Sequence, residues 1–155
     1  MFLICGEALF DVFVGDDQPA GGLSLEARAG GSPFNVAIGL ARLGRNAGLL
    51  AGLSRDMLGE RLHDVLRKEG VDTRCLVRSN RLTTLSLVGR TATGTPAYTF
   101  YGAGSADASL TVADLPLLPT EVTGLHFGSY SIVVRPTADA LATLAQREQE
   151  HRFIS

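Results

Sequence analysis

The chain has 155 residues and a mass of 16.4 kDa, a length that suits one domain of ordinary size. Hydrophobic residues make up 45% and charged residues 19%, which excludes a disordered chain and a coiled coil. Acids exceed bases by only two (16 against 14) and no basic stripe stands out, so nucleic acid is not an expected partner.

In chain order, Phe2 to Cys5 is uniformly apolar, as in a strand covered on both faces of a sheet. It carries no basic leader and runs straight into Glu7 and Asp11, so it reads as a first strand and not a signal peptide. Phe10 to Val14 is expected to extend that strand, and Gly15 to Pro19 to turn the chain. Leu23 to Arg28 alternates as a half-exposed strand does. Gly30 and Gly31 follow, and Ser32-Pro33 opens a helix with Ser as the predicted N-cap and Pro in the first turn. Val36, Leu40 and Leu43 form its predicted apolar stripe, and Gly44 its C-terminal cap.

Asn46 to Leu53 is a predicted second buried strand. A second helix follows, with Leu58, Leu62, Val65 and Leu66 on one face and Gly70 as its stop. Strand–helix–strand–helix in this order predicts an α/β layer with a parallel sheet. Thr83 to Arg90 and Ala97 to Tyr101 flank Thr93-Gly94-Thr95-Pro96 and predict an antiparallel hairpin. Leu125-His126-Phe127 is a further short strand, and Pro136-Thr137 starts a third helix carrying Leu141, Leu144 and Ala145. After a polar turn from Gln146 to Glu150, Arg152 to Ser155 begins an apolar segment where the next strand of a βαβ unit belongs. The organisation therefore suggests the first half of a larger domain.

Cys5 and Cys75 lie far apart and belong to no short-spaced pair, which argues against a disulfide framework or a zinc site and for a reducing cytoplasm. No apolar run approaches the ~20 residues that span a bilayer. The predicted location is cytoplasmic, with no membrane partner. Phosphate-loop, dinucleotide-fold and metalloprotease motifs are missing from the sequence. His63, His126 and His151 show no ligand spacing; His126 reads as a hydrogen-bonded core residue and the other two as solvated helix residues.

Two features carry chemistry. The segment Gly6-Glu7-Ala8-Leu9-Phe10-Asp11 delivers a carboxylate beyond the end of the first strand, where open α/β sheets bind ligands. In Gly30-Gly31-Ser32-Pro33-Phe34-Asn35 the glycines let backbone approach a ligand, and the helix N-terminus offers free N–H donors. Asn35 both donates and accepts hydrogen bonds. A carboxylate and a carboxamide converging on exposed backbone suit a polyhydroxylated ligand.

The string Gly30-Gly31-Ser32-Pro33 through Asn35-Val36-Ala37 to Gly44 resembles the N-terminal signature of the PfkB (ribokinase-like) carbohydrate kinases. The Gly6 to Asp11 opening looks like the fructokinase branch. Gly52 to Gly59 and Phe100 to Asp107 are similar to later elements of the family, in the same order. The resemblance implies a ribokinase-like α/β fold, with parallel strands, helices and a small antiparallel β-lid at about 13–28 and 83–101. It implies a sugar kinase that transfers the γ-phosphate of ATP, with sugar held by Asp11, Gly30, Gly31 and Asn35 and with Phe100 packed on its apolar side. Gly102 and Gly104 read equally as turn residues or as substrate contacts.

The family's Gly-Ala-Gly-Asp turn, which supplies the anion hole and the catalytic base, is absent from this sequence. Residues 1–155 are therefore expected to form the sugar-binding half, with no catalytic residue and no ATP, Mg2+ or other metal site of their own. Fructose leads among the implied sugars; ribose, ketodeoxygluconate and nucleosides stay open. The resemblance also implies pairing of two copies through an edge contact at 83–101. The alternatives are a non-catalytic sugar-binding or regulatory module and an inactive truncated product.

Overall fold

The computed structural model describes residues 1–18, 21–90 and 93–155. The strands are β1 (Phe2–Cys5), β2 (Leu9–Gln18), β3 (Gly22–Gly30), β4 (Ala47–Leu50), β5 (Gly52–Ser54), β6 (Val77–Ser79), β7 (Leu85–Arg90), β8 (Pro96–Tyr101), β9 (Gly124–Phe127) and β10 (Phe153–Ile154). The helices are α1 (Ser32–Arg42), α2 (Met57–Lys68) and α3 (Thr137–Glu148).

The central sheet has the order β10-β9-β1-β4, and every pairing in it is parallel. Side chains alternate across a strand, so each strand feeds both faces. Ile4 and Leu49 enter one core with Phe34, Ala37 and Ile38 of α1 and Leu62 and Leu66 of α2. Leu3, Cys5 and Leu50 enter the other with Leu125 and with Leu141 and Leu144 of α3. Burying each such Leu or Ile contributes roughly 1.5–3 kcal/mol, which is why the apolar runs of β1 and β4 are continuous. The α/β reading of the sequence holds.

Four local expectations are corrected. The stretch from Phe10 to Val14 does not extend β1. The chain leaves the central sheet at Gly6, and Phe10 enters β2 of a second sheet of order β3-β2-β7-β8. Gly15 to Gln18 continue β2 and do not turn the chain; Pro19 lies outside the described residues. Leu23 to Arg28 is a strand, but it is exposed along its length, with Leu23 and Leu25 both 54% accessible. The run from Asn46 to Leu53 is divided at Ala51, and β5 pairs instead with β6 in a separate two-stranded sheet.

The first helix shifts by one residue. Gly31 is its N-cap, with φ 102° and ψ 131°, and Ser32 is the first helical residue and makes no side-chain capping bond. The buried face of α1 is Pro33, Phe34, Ala37 and Ile38, while Leu43 stands 77% exposed because the helix has already ended. Gly44 closes it as expected, at φ 71°, with its N–H on Ala41 O and the Arg45 N–H on Leu40 O. Gly70 closes α2 in the same way, bonding Arg67 O while Val71 N–H reaches Leu66 O.

Asp56 caps α2 by accepting from Gly59 N–H at 2.7 Å, and it also accepts from Thr83 N–H at 2.8 Å and Thr83 Oγ1 at 2.7 Å. Burial alone would raise its carboxyl pKa, but these donors outweigh burial and hold it below the usual range. The flanking glycines are steric necessities: a Cβ on Gly52 would lie 2.0 Å from Ala106 O, and one on Gly59 2.2 Å from Ser54 O. The Gly52 to Gly59 segment thus fastens α2 to the base of β7.

The second sheet forms over the segments where the lid is expected, and we refer to it as the lid sheet. β2 and β3 are antiparallel, β7 and β8 are antiparallel, and the two hairpins join through a parallel β2–β7 seam. Phe10 and Val12 face the α1/α2 core, with Leu85 and Leu87 packed beside them. Thr91 and Ala92 lie outside the described residues.

Candidate functional site

β1 and β9 end side by side at Cys5 and Phe127, and both segments that follow them, Gly6–Ala8 and Gly128–Ser131, turn over the same edge. The N-terminus of α1 and the root of the lid meet there too, since Leu9 pairs with Gly30. Between body and lid lies a cavity of about 520 Å³, within the ordinary range for a small-molecule site.

Asp11, Gly31, Asn35 and Phe100, four of the five residues singled out from sequence, line this cavity. Gly30 stands behind Asp11: a Cβ on it would meet Asp11 Oδ2 at 2.3 Å. Asp11 lies on β2 opposite Arg28 and beside Ser86. Its carboxylate makes no hydrogen bond or ion pair among the described residues. Gly31 has a positive φ and packs so closely that a Cβ would lie 2.8 Å from Glu7 O. Asn35 is exposed in the first turn of α1, so its carboxamide is open to a ligand.

Phe100 is 46% exposed, and its ring stacks on Tyr130 with centroids 5.1 Å apart and planes 7° from parallel. Gly102 and Gly104 are not part of this cavity; they border a neighbouring one with Arg81 and Pro136. Gly102 is buried, and a Cβ there would lie 3.2 Å from Tyr130 Oη and 3.1 Å from Thr84 Cγ2.

Glu7, Ser129, Tyr130 and Ser131 were not singled out from sequence. Glu7 is 1% exposed and lines the cavity. Its Oε1 accepts from Ser129 Oγ at 2.8 Å, and its Oε2 accepts from Ser129 N–H and Ser131 N–H at 3.1 Å and from Ser131 Oγ at 2.9 Å. Burial would raise the Glu7 pKa, but these donors win and keep it ionised below its ordinary value. The partners are separated by more than a hundred positions, so no local pattern reveals the arrangement.

Asp107 shows the opposite balance. It is 2% exposed, Thr84 Oγ1 and Ser105 Oγ donate to its Oδ1, and its Oδ2 has no partner. Burial pushes its pKa up further than those hydroxyls pull it down. His126 is half-buried on β9 with Nδ1 2.8 Å from Ser155 Oγ. Cys5 and Cys75 are both free and buried, and burial raises both thiol pKa values. Among the described residues no group of three or more His, Cys, Asp or Glu could hold a metal ion, and no helix is long and apolar enough to cross a membrane.

Residues 4–152 match the family described as pfkB family carbohydrate kinase. Over all 155 residues the chain is 37% identical to a fructokinase of Rhizobium leguminosarum bv. trifolii, of which it covers 47%. The crystal structure of fructokinase from Xylella fastidiosa superposes with a TM-score of 0.90 at 28% identity, over 99% of this chain and 49% of that one. The same enzyme with bound ATP superposes at 0.88, with 26% identity over 99% of this chain and 50% of that one. The chain thus spans about half the length of the relatives it matches. With a matching family over nearly its whole length and a matching fold around the cavity, the chain belongs to the pfkB family of carbohydrate kinases.

Proposed function

We propose that residues 1–155 form the sugar-binding half of an ATP-dependent carbohydrate kinase of the fructokinase type. The observation that supports this most is the cavity itself: an unpaired carboxylate on the lid, a free carboxamide on α1 and an aromatic face meet around one volume. A carboxylate accepts from two neighbouring hydroxyls, a carboxamide donates and accepts, and the Gly31 backbone leaves room for close approach. In this reading Asp11, Asn35 and the Gly30–Gly31 backbone hold the hydroxyls, and Phe100 covers the apolar side of the ring.

Phosphoryl transfer is mainly positioning and charge stabilisation. This half would orient the acceptor alcohol, and the lid would keep water from it. ATP supplies the phosphoryl group. In this reading the base and the anion donors come from outside residues 1–155, and the chain on its own would not turn over. The Xylella relative with bound ATP supports that nucleotide for the whole enzyme. We also infer pairing of two copies through β8, the lid's edge strand, where Tyr98 and Tyr101 are 62% and 61% exposed.

A sugar panel read by thermal melting tests the reading. A ligand at ten times its Kd adds ~1.4 kcal/mol of stability, which at this size raises the melting temperature by about 3–6 °C. Fructose is expected to give that rise in the millimolar range. A panel in which no sugar moves the melting temperature would overturn the assignment, as would ATP-dependent sugar phosphorylation by the chain alone.

A further inference from the structure

We propose that Glu7 is the positioning residue of the aromatic wall of this cavity: it holds the Ser129–Ser131 turn and so sets the Tyr130 ring parallel to Phe100. An ionised carboxylate offers about four lone-pair sites. Two backbone N–H groups and two hydroxyls of Ser129 and Ser131 donate to it, three to Oε2 and one to Oε1. Glu7 lines the cavity, but every one of these donors belongs to one turn, so its effect on binding passes through what it holds.

It holds Tyr130, the residue between the two serines. The chain arrives there from β9 of the body, whereas Phe100 belongs to β8 of the lid, and the stacked pair is the place where those two parts meet across the cavity. The Tyr130 hydroxyl stands against Gly102, where even a methyl group would lie 3.2 Å from it. The ring is thereby confined at its far end as well as at its backbone. The charge of Glu7 matters for this. Its two oxygens receive only donors, so one amide nitrogen in their place would face N–H and O–H groups with a donor of its own. The Glu7 backbone is also fixed, since its carbonyl lies under Gly31. One buried side chain therefore couples the α1 N-terminus, the 129–131 turn and the aromatic stack.

The effect on ligand affinity rests on the sugar-binding reading above; the effect on the stack does not. The test uses Glu7→Gln, a Ser129→Ala/Ser131→Ala double variant, and Tyr130→Leu as the reference without the stack. Two rings 5.1 Å apart and parallel shift each other's proton resonances upfield, and a protein of 16.4 kDa is small enough for that signal to be assigned. In folded Glu7→Gln the Phe100 ring shift is expected to collapse to its value in Tyr130→Leu, and fructose affinity to fall about tenfold, the scale of one aromatic contact. A folded variant with the ring shift retained overturns the proposal, even if its melting temperature drops, because Glu7 would then be structural only. Should Glu7→Gln fail to fold, the double serine variant decides in the same way: shift lost supports the proposal, shift kept refutes it. If the unaltered chain binds no sugar, the sugar-site reading fails while the ring shift still decides the role of Glu7.

Discussion

Replacing Asp11 with Asn tests the heart of the sugar site with the smallest change in shape. The Asp11 carboxylate is half-buried on β2, lines the cavity and has no internal partner among the described residues. Its charge is therefore free for a ligand and holds up nothing in the fold. Hydrogen bonds to a charged group contribute roughly 1.5–3 kcal/mol. Asn keeps one acceptor oxygen, loses the charge and presents an amide donor to the second hydroxyl. Losing about 1.4–2.8 kcal/mol weakens binding by one to two powers of ten. Fructose affinity, measured by chemical-shift titration because the binding is weak, should fall by that factor. The melting temperature of the free protein should move by no more than about 1 °C, as for a surface substitution within ±0.5 kcal/mol. Unchanged affinity with a lower melting temperature would refute the argument, since Asp11 would then be a structural residue and the sugar would bind elsewhere.

Gly30→Ala should reproduce the loss without touching the carboxylate chemically. Its Cβ would lie 2.3 Å from Asp11 Oδ2, so the carboxylate must swing aside, and affinity should drop roughly tenfold; full affinity in Gly30→Ala would mean that the Asp11 position is not critical. Asp107→Asn should raise stability at pH 7. The folded-state pKa of Asp107 is raised, so ionised Asp107 costs stability above that pKa, and the cost disappears as pH falls towards the unfolded value of 3.8. Removing a buried, partly unsatisfied charge is worth about 1–3 kcal/mol, so the variant should melt several degrees higher at pH 7 and equal to the parent near pH 4. A variant that melts lower at pH 7 would show that the charged form is the one the fold favours.

What the sequence discloses and what it hides follow from the range of the interactions. Both glycine caps, the parallel β1–β4 pair, the second hairpin and the cluster of Asp11, Gly31 and Asn35 were legible, because turn chemistry and apolar period act over a few residues. The breaks at Gly6 and Ala51 were not. Both lie in apolar runs, and only the two further sheets decide that Phe10 turns away from β1 and that Leu53 joins β6. The helix start was displaced by one residue because Gly31, at positive φ, took the capping position that Ser32 usually fills. The Glu7 clamp was hidden for a plainer reason: a glutamate in an apolar stretch gives no sign that two serines from beyond β9 will surround it. His126 hydrogen-bonds as its place in an apolar strand suggests, though it is only half-buried.

The seam of the lid sheet bears on the order in which the molecule assembles. Each lid hairpin is local, but the β2–β7 seam joins Phe10–Phe13 to Leu85–Val88, with the strands β1 and β4 and the helices α1 and α2 lying near or between them in the chain. Closing so long a loop costs entropy before any contact rewards it. Once the central sheet has formed, β2 hangs from the end of β1, and Asp56 of α2 grips Thr83 at the foot of β7, so the two hairpins are already neighbours. The seam is then the join between two hairpins that are each fixed to the body. Because the cavity has one wall on each side of the seam, a bound sugar would tie the two hairpins together and oppose their separation.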